Sequence, residues 1–141
     1  MSQLKLMALD AEDLQVISSC CQDAVMKVGN LDYSPAKKQF SLSVNRFAWE
    51  QDEKSKTPER RQSVLHFAQV NHVRVSGIDR HDKEMVLSLL AVLFEAGDEP
   101  GGDIELVFAG DGAIKLNVEC IEAQLSDMPA AWQAKARPSH E

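Results

Sequence analysis

The sequence predicts an α+β fold: a strongly bent antiparallel β-meander of six or seven strands with a helix near each end. Three observations carry this. From Lys37 to Glu119, apolar and polar residues alternate in successive runs, the period of a strand with one buried face. Turn residues at Ser34-Pro35, Gly77 to Lys83, Gly97 to Gly102 and Gly110 to Gly112 separate the runs. At the two ends the period lengthens to that of a helix, at Leu14, Ile17 and Cys21 and again at Ile121, Leu125, Met128 and Trp132.

Taken in order, Gln3 to Leu9 reads as a short strand with Leu4 and Leu6 on one face. Asp10 is placed to cap a helix from Ala11 to about Gln22, whose first turn carries Glu12 and Asp13 against the positive end of the dipole. Ala24 to Val28 is a strand closed by Gly29-Asn30. Phe40, Leu42 and Val44 share one face of the next strand, whereas Phe47 and Trp49 fall on the opposite parity. Either a bulge near Asn45-Arg46 rotates the strand or both of its faces are covered there.

Glu50 to Arg61 contains no apolar residue and reads as a mobile hairpin loop. Gln62 to Ile78 is one long strand with a bend or bulge near Gln69, since its apolar parity changes there. Met85 to Phe94 has helix-favouring composition but no polar face, and it lies between strands. We read it as a central strand buried on both faces. The next hairpin is expected to close through Gly110-Asp111-Gly112, pairing Phe108 with Ile114, Leu106 with Leu116 and Ile104 with Val118, with Gly112 in the left-handed region. Ile121 to Trp132 is expected as a C-terminal helix, broken or restarted at Pro129. Residues 1–132 form one domain in this reading, and 133–141 a polar tail.

Composition bounds the function. The chain has 141 residues, 22 acidic against 15 basic side chains, and a formal charge of −7. That balance disfavours non-specific binding to nucleic acid or anionic membrane. No apolar run is long enough to span a bilayer, and the N-terminal run is too short for a signal peptide. Cys20, Cys21 and Cys120 match no disulfide or zinc spacing, so the expectation is reduced thiols in a cytoplasm.

Motifs with chemistry are scarce. There is no Gly-x-Ser-x-Gly elbow, no phosphate loop and no His-Glu-x-x-His. Cys20 and Cys21 would point about 100° apart on a helix and lack a neighbouring base. His66 and His72 share a strand, but six residues put them roughly 20 Å apart, too far for one metal. His81 lies in the polar turn Asp79-Arg80-His81-Asp82, and Arg74 lies on the preceding strand. His66, His72, Arg74 and His81 are therefore the candidate ligand-binding residues. The bland alternative for each is a strand or turn residue facing solvent. No catalytic residue, metal or cofactor is assigned. Lys54, Lys56, Arg60 and Arg61 form a basic group in the polar loop, offset by Asp52, Glu53 and Glu59.

Ile104 to Met128 (IELVFAGDGAIKLNVECIEAQLSDM), the opening LKLMALDAEDLQVISSCCQDAV and the middle FSLSVNRFAWE together resemble a small family of bacterial proteins, mainly alphaproteobacterial, catalogued as a domain of unknown function. The resemblance covers nearly the whole chain and implies a single-domain bacterial protein, with no known site residues to carry over. In topology alone, a meander ended by a helix with a tryptophan is similar to the pleckstrin-homology-like barrel. The functional expectation is a small cytoplasmic binding or protein-interaction module, not an enzyme, with a homodimer allowed. The alternatives are a small-molecule enzyme built around the histidines and a weak nucleic-acid binder.

Overall fold

The computed structural model describes residues 4–47 and 60–128. Among them run ten strands and one α-helix: β1 (Lys5–Ala8), α1 (Ala11–Cys20), β2 (Ala24–Lys27), β3 (Leu31–Ser34), β4 (Gln39–Phe47), β5 (Arg60–Phe67), β6 (Val70–Ser76), β7 (Val86–Ala96), β8 (Gly102–Phe108), β9 (Ala113–Val118) and β10 (Ala123–Asp127). A single 3₁₀ turn, Val28–Asn30, joins β2 to β3. The protein is therefore mostly antiparallel β. This corrects the expected α+β meander of six or seven strands with a helix at each end, and with it the pleckstrin-homology-like likeness.

The C-terminal helix fails for a visible reason. Ile121 and Leu125 fit helical spacing, but they also fit the alternation Ile121, Ala123, Leu125, Asp127, and all four are buried while Gln124 and Ser126 are only half-buried. That alternation wins, and β10 pairs with both β1 and β5. Trp132 and the expected tail lie outside the described residues, as does most of the polar loop; Arg60 and Arg61 belong to β5.

Hydrogen-bonded neighbours follow the order β1-β10-β5-β4-β2-β7-β8-β9-β6, with β3 also on β4. β5 runs into β6 through Ala68 and Gln69, and β9 runs into β10 through residues 119–122. The joints are themselves bonded: Ala68 N–H donates to the Glu122 carbonyl at 2.9 Å, and Glu119 N–H to the Gln69 carbonyl at 3.0 Å. The β10–β5 pair near one end of the order and the β9–β6 pair at the other are thus one continuous bent ribbon, through which the sheet curls back on itself into a barrel, with β1 and β6 as its edges. Strands that bend from one sheet into the next are how orthogonally packed sheets make their corners. Gln69 makes this corner with a left-handed φ of 60°, and a register shift follows between Val70 and His72. The single strand expected over Gln62 to Ile78 is in fact two, and its parity change marks the joint.

The barrel interior holds Phe40, Leu42, Val44, Leu65, Phe67, Ile104, Leu106, Phe108, Ile114, Leu116 and Leu125, all essentially inaccessible to solvent. Fully burying one such side chain is worth about 1.5–3 kcal/mol. The helix starts as expected: the Asp10 side chain accepts from Asp13 N–H at 2.8 Å. Its Leu14 and Ile17 reach the core, and Ser18 Oγ accepts from Val92 N–H at 2.9 Å, covering β7 beyond its pairing with β2.

Three further expectations are decided. Of the two alternatives for β4 the bulge is ruled out, since its register with β5 is unbroken from Phe40↔Phe67 to Phe47↔Arg60, and the outer face at Asn45 and Phe47 is half-covered; Trp49 lies outside the described residues. The buried position after Val44 is instead Arg46, and Phe47 turns outward, covered by the Arg60 guanidinium 4.3 Å from its ring centre. β7 is a strand, but not one buried on both faces: Val86, Leu90 and Leu93 are exposed, and Leu90 sits where the register with β8 shifts. In the β8–β9 hairpin Leu106 pairs with Ile114 and Ile104 with Leu116, two residues from the expected register. A shift of two keeps every side chain on its face, so the same six apolar residues are still buried. Gly110 and Asp111 take the positive φ angles, in place of Gly112.

Candidate ligand-binding cleft

The outer faces of β6, β9, β8 and β7 form one surface, and register fixes which side chains are neighbours on it. One row across the strands is His72, Asn117, Asp103, Glu95; the next is Arg74, Lys115, Glu105, Leu93. Three adjoining depressions lie on this surface. The largest, about 460 Å³, is bounded by Asn71, Asn117, Asp103, Glu95, Asp98 and Glu119, with Gly101 and Gly102 at its end. Two shallower ones, each about 240 Å³, lie along Arg74, Glu105 and Lys115 and along Leu93, Glu105 and Lys115.

An amide relay sets the polarity of the large cleft. Asn71 Nδ2 donates to Asn117 Oδ1 at 3.0 Å, and Asn117 Nδ2 donates to Asp103 Oδ1 at 3.0 Å. Both amides thus direct these donors along the row toward Asp103. The Arg74 guanidinium stands 3.8 Å from the other Asp103 oxygen, and Lys38 pairs with Glu119 at the far rim. Beyond Asp103, whose two oxygens face Asn117 and Arg74, the lining adds the acidic residues Glu95 and Asp98.

The hairpin closing the cleft is held by backbone. Gly97 N–H donates to the Gly101 carbonyl at 3.0 Å, and Gly101 N–H to the Asp98 carbonyl at 2.7 Å. A side chain at Gly102 would put its Cβ 2.4 Å from the Glu95 carbonyl oxygen, and one at Gly101 would meet the Val118 carbonyl at 2.7 Å. Only glycine lets the strands approach this closely. The cleft wall is therefore preformed.

The candidate residues read from the sequence are distributed as follows. His72 and Arg74 lie two residues apart on β6, both exposed, in adjacent rows beside the cleft. His66 lies half-buried on β5, between Ser41 of β4 and Gln124 of β10, on a different outer face. His81 is exposed in the turn after β6, where its backbone N–H donates to Asp79 Oδ1 at 3.0 Å. Asn71, Asp103 and Asn117 were missed. Each is an ordinary polar residue on a strand; cross-strand register sets Asp103 opposite Asn117, and the irregularity between Val70 and His72 brings Asn71 to Asn117.

Sequence reasoning also missed a polar cluster inside the barrel. Arg46, Ser63 and Asp127 are buried at its end, with Arg46 and Ser63 fully inaccessible. Arg46 Nε donates to Asp127 Oδ1 at 3.0 Å and to Ser63 Oγ at 3.1 Å, and its terminal NH2 group spans both Asp127 oxygens at 2.9 and 3.0 Å. Ser63 Oγ donates to Asp127 Oδ1 at 2.6 Å, and Leu4 N–H to Oδ2 at 2.9 Å. Arg46 also donates through NH1 to the Phe47 carbonyl at 3.2 Å, and Arg61 Nε stands 4.0 Å from Asp127 Oδ2; the cluster is shut off from solvent and ties β4, β5 and β10 to the residue ahead of β1.

Among the described residues no group of three or more His, Cys, Asp and Glu side chains is arranged to hold a metal ion, and no helix is long and apolar enough to cross a membrane. No curated protein and no solved structure matches the chain. A family model does match, over residues 4–140, and on that match the chain belongs to a family of proteins of unknown function, DUF2948.

Proposed function

We propose that the protein is a binding module, and that the cleft between the Gly97–Gly102 hairpin and β6 receives a cationic group of its ligand, an ammonium or a guanidinium. The observation that supports this is the direction of the Asn71–Asn117–Asp103 relay. It spends the Asn71 donor on Asn117 and the Asn117 donor on the Asp103 carboxylate, and the cleft is otherwise lined by the acidic residues Glu95, Asp98 and Glu119. Such a lining binds a donor-only group and repels an anion. The net charge of −7 works in the same sense at longer range. His72 and Arg74 enter this reading as the rim that limits how many positive charges the ligand brings. A reducing cytoplasm suits the three cysteines, which form no disulfide.

The test is a titration followed by the side-chain amide resonances of Asn71 and Asn117. Spermidine and a short lysine- or arginine-containing peptide should shift both, more weakly as salt rises. Acetylated spermidine should shift them less. In Asp103→Asn the response should fall at least several-fold with the fold intact. If no amine or guanidinium moves these resonances, the cleft does not bind cations and the reading fails.

A further inference from the structure

A second outer face differs from the one just described. It is built from β3, β4, β5, β10 and β1, side by side in that order, with β5 at its centre. Register places Ser41, His66 and Gln124 in one row and Ser43, Val64 and Ser126 in the next. All six are half-buried, and none carries a carboxylate, ammonium or guanidinium. Of the eight positions in the two rows of the cleft face, five are charged: Glu95, Asp103, Glu105, Arg74 and Lys115. In a chain with 26% charged residues, such a stretch of three strands calls for a cause. Depletion of charge is the compositional mark of an interface centre.

The chemistry of this face selects its occupant. Hydroxyl and amide side chains both donate and accept, so the face can bond a copy of itself. Its two rims carry opposite charges: Asp32 on β3 and Lys5 on β1, both exposed. We propose that a second copy of the chain covers this face, related by a two-fold axis parallel to β5. The two sheets would stack about 10 Å apart. That axis sets β3 over β1 of the other copy and β4 over its β10. Val64 and His66 then lie against their own counterparts at the centre. Each Asp32 falls within a row of the other copy's Lys5, so two ion pairs close the rims. Met7, 56% exposed on β1 in the His66 row, is covered in the same step. The pairing uses none of the cleft residues, so it stands or falls independently of the ligand.

Sedimentation equilibrium of the full chain under reducing agent tests this. The wild type should be a dimer. Val64→Arg sets two like charges face to face on the axis and should give monomer with an unchanged far-UV spectrum. Lys5→Asp or Asp32→Lys alone should weaken the dimer roughly tenfold or more, and the two together should restore it. Should Val64→Arg fail to fold, the rim reversals decide alone. A wild type that stays monomeric at every concentration overturns the proposal, as does a dimer indifferent to both the central arginine and the rim reversals.

Discussion

Arg46 and Asp127, 81 residues apart in the chain, meet inside the end of the barrel as a bidentate ion pair with side chains 0% and 1% exposed. Desolvating such a pair consumes most of what its attraction returns. What it contributes is uniqueness: only the register Asp127↔Ser63 on β5 brings the carboxylate against Arg46 and Ser63 together. Asp127→Ala should cost about 3–5 kcal/mol, because it leaves a guanidinium buried without its counter-ion. Arg46→Met alone should cost a similar amount. The double variant Arg46→Met, Asp127→Leu should recover most of the loss, as apolar replacements of buried pairs often do. Urea unfolding midpoints of the three variants check this, and a double variant no better than the singles would refute it.

Ser63 tests the same cluster from its middle. Its hydroxyl accepts from Arg46 and donates to Asp127. Ser63→Ala removes both bonds without creating a buried charge. The expected loss is about 1–3 kcal/mol, clearly smaller than for Asp127→Ala.

How far the sequence could be read follows from where the apolar residues stand. Strands β8 and β9, and β4 as far as Val44, announce themselves, because each alternates cleanly and keeps one face in the core. The α1 cap was legible for a local reason, since Asp10 bonds three residues ahead. Where a polar residue takes a core position the pattern breaks. Arg46 made β4 look as if it changed phase, and Asp127 hid the alternation of β10 behind an accidental helical spacing. Both errors come from one ion pair formed between distant strands. The closing of the barrel was equally hidden, because it depends on β10 meeting β5 and β9 meeting β6. The cleft was illegible for the same reason: register sets Asp103 opposite Asn117, and Asn71 reaches Asn117 from the irregularity between Val70 and His72.

The glycines of the cleft hairpin and of the β8–β9 turn should respond differently to alanine. At Gly102 the new Cβ would lie 2.4 Å from backbone oxygen and 2.8 Å from the Phe94 ring. Backbone cannot step aside, so the loss should exceed about 1–3 kcal/mol, the usual cost of overpacking. At Gly110 nothing lies within 4 Å, and only its φ of 82° opposes a side chain. That strain should cost about 1–2 kcal/mol. Thermal unfolding of the two variants should rank Gly102→Ala well below Gly110→Ala.

Strand β7 gives the sharpest test of its two unlike faces. Leu89 is fully buried and Leu93 is 51% exposed, four residues apart on one strand. Equal parity would ordinarily put them on the same side. The irregularity at Leu90 turns the strand, so that Leu89 pairs with Phe108 toward the core while Leu93 pairs with Glu105 on the cleft face. Leu89→Ala should cost about 2–5 kcal/mol, since it opens a cavity in a packed interior. Leu93→Ala should stay within about 0.5 kcal/mol of wild type, as surface replacements do. Deleting Leu90, the extra residue at the irregularity, would leave Leu89, Ala91, Val92 and Leu93 opposite Phe108, Val107, Leu106 and Glu105 in unbroken register, with Val92 still toward the core and Leu93 still outside. That variant should therefore lose less stability than Leu89→Ala. Equal losses at Leu89 and Leu93 would mean that β7 is covered on both sides, and the cleft face would not be open to a ligand.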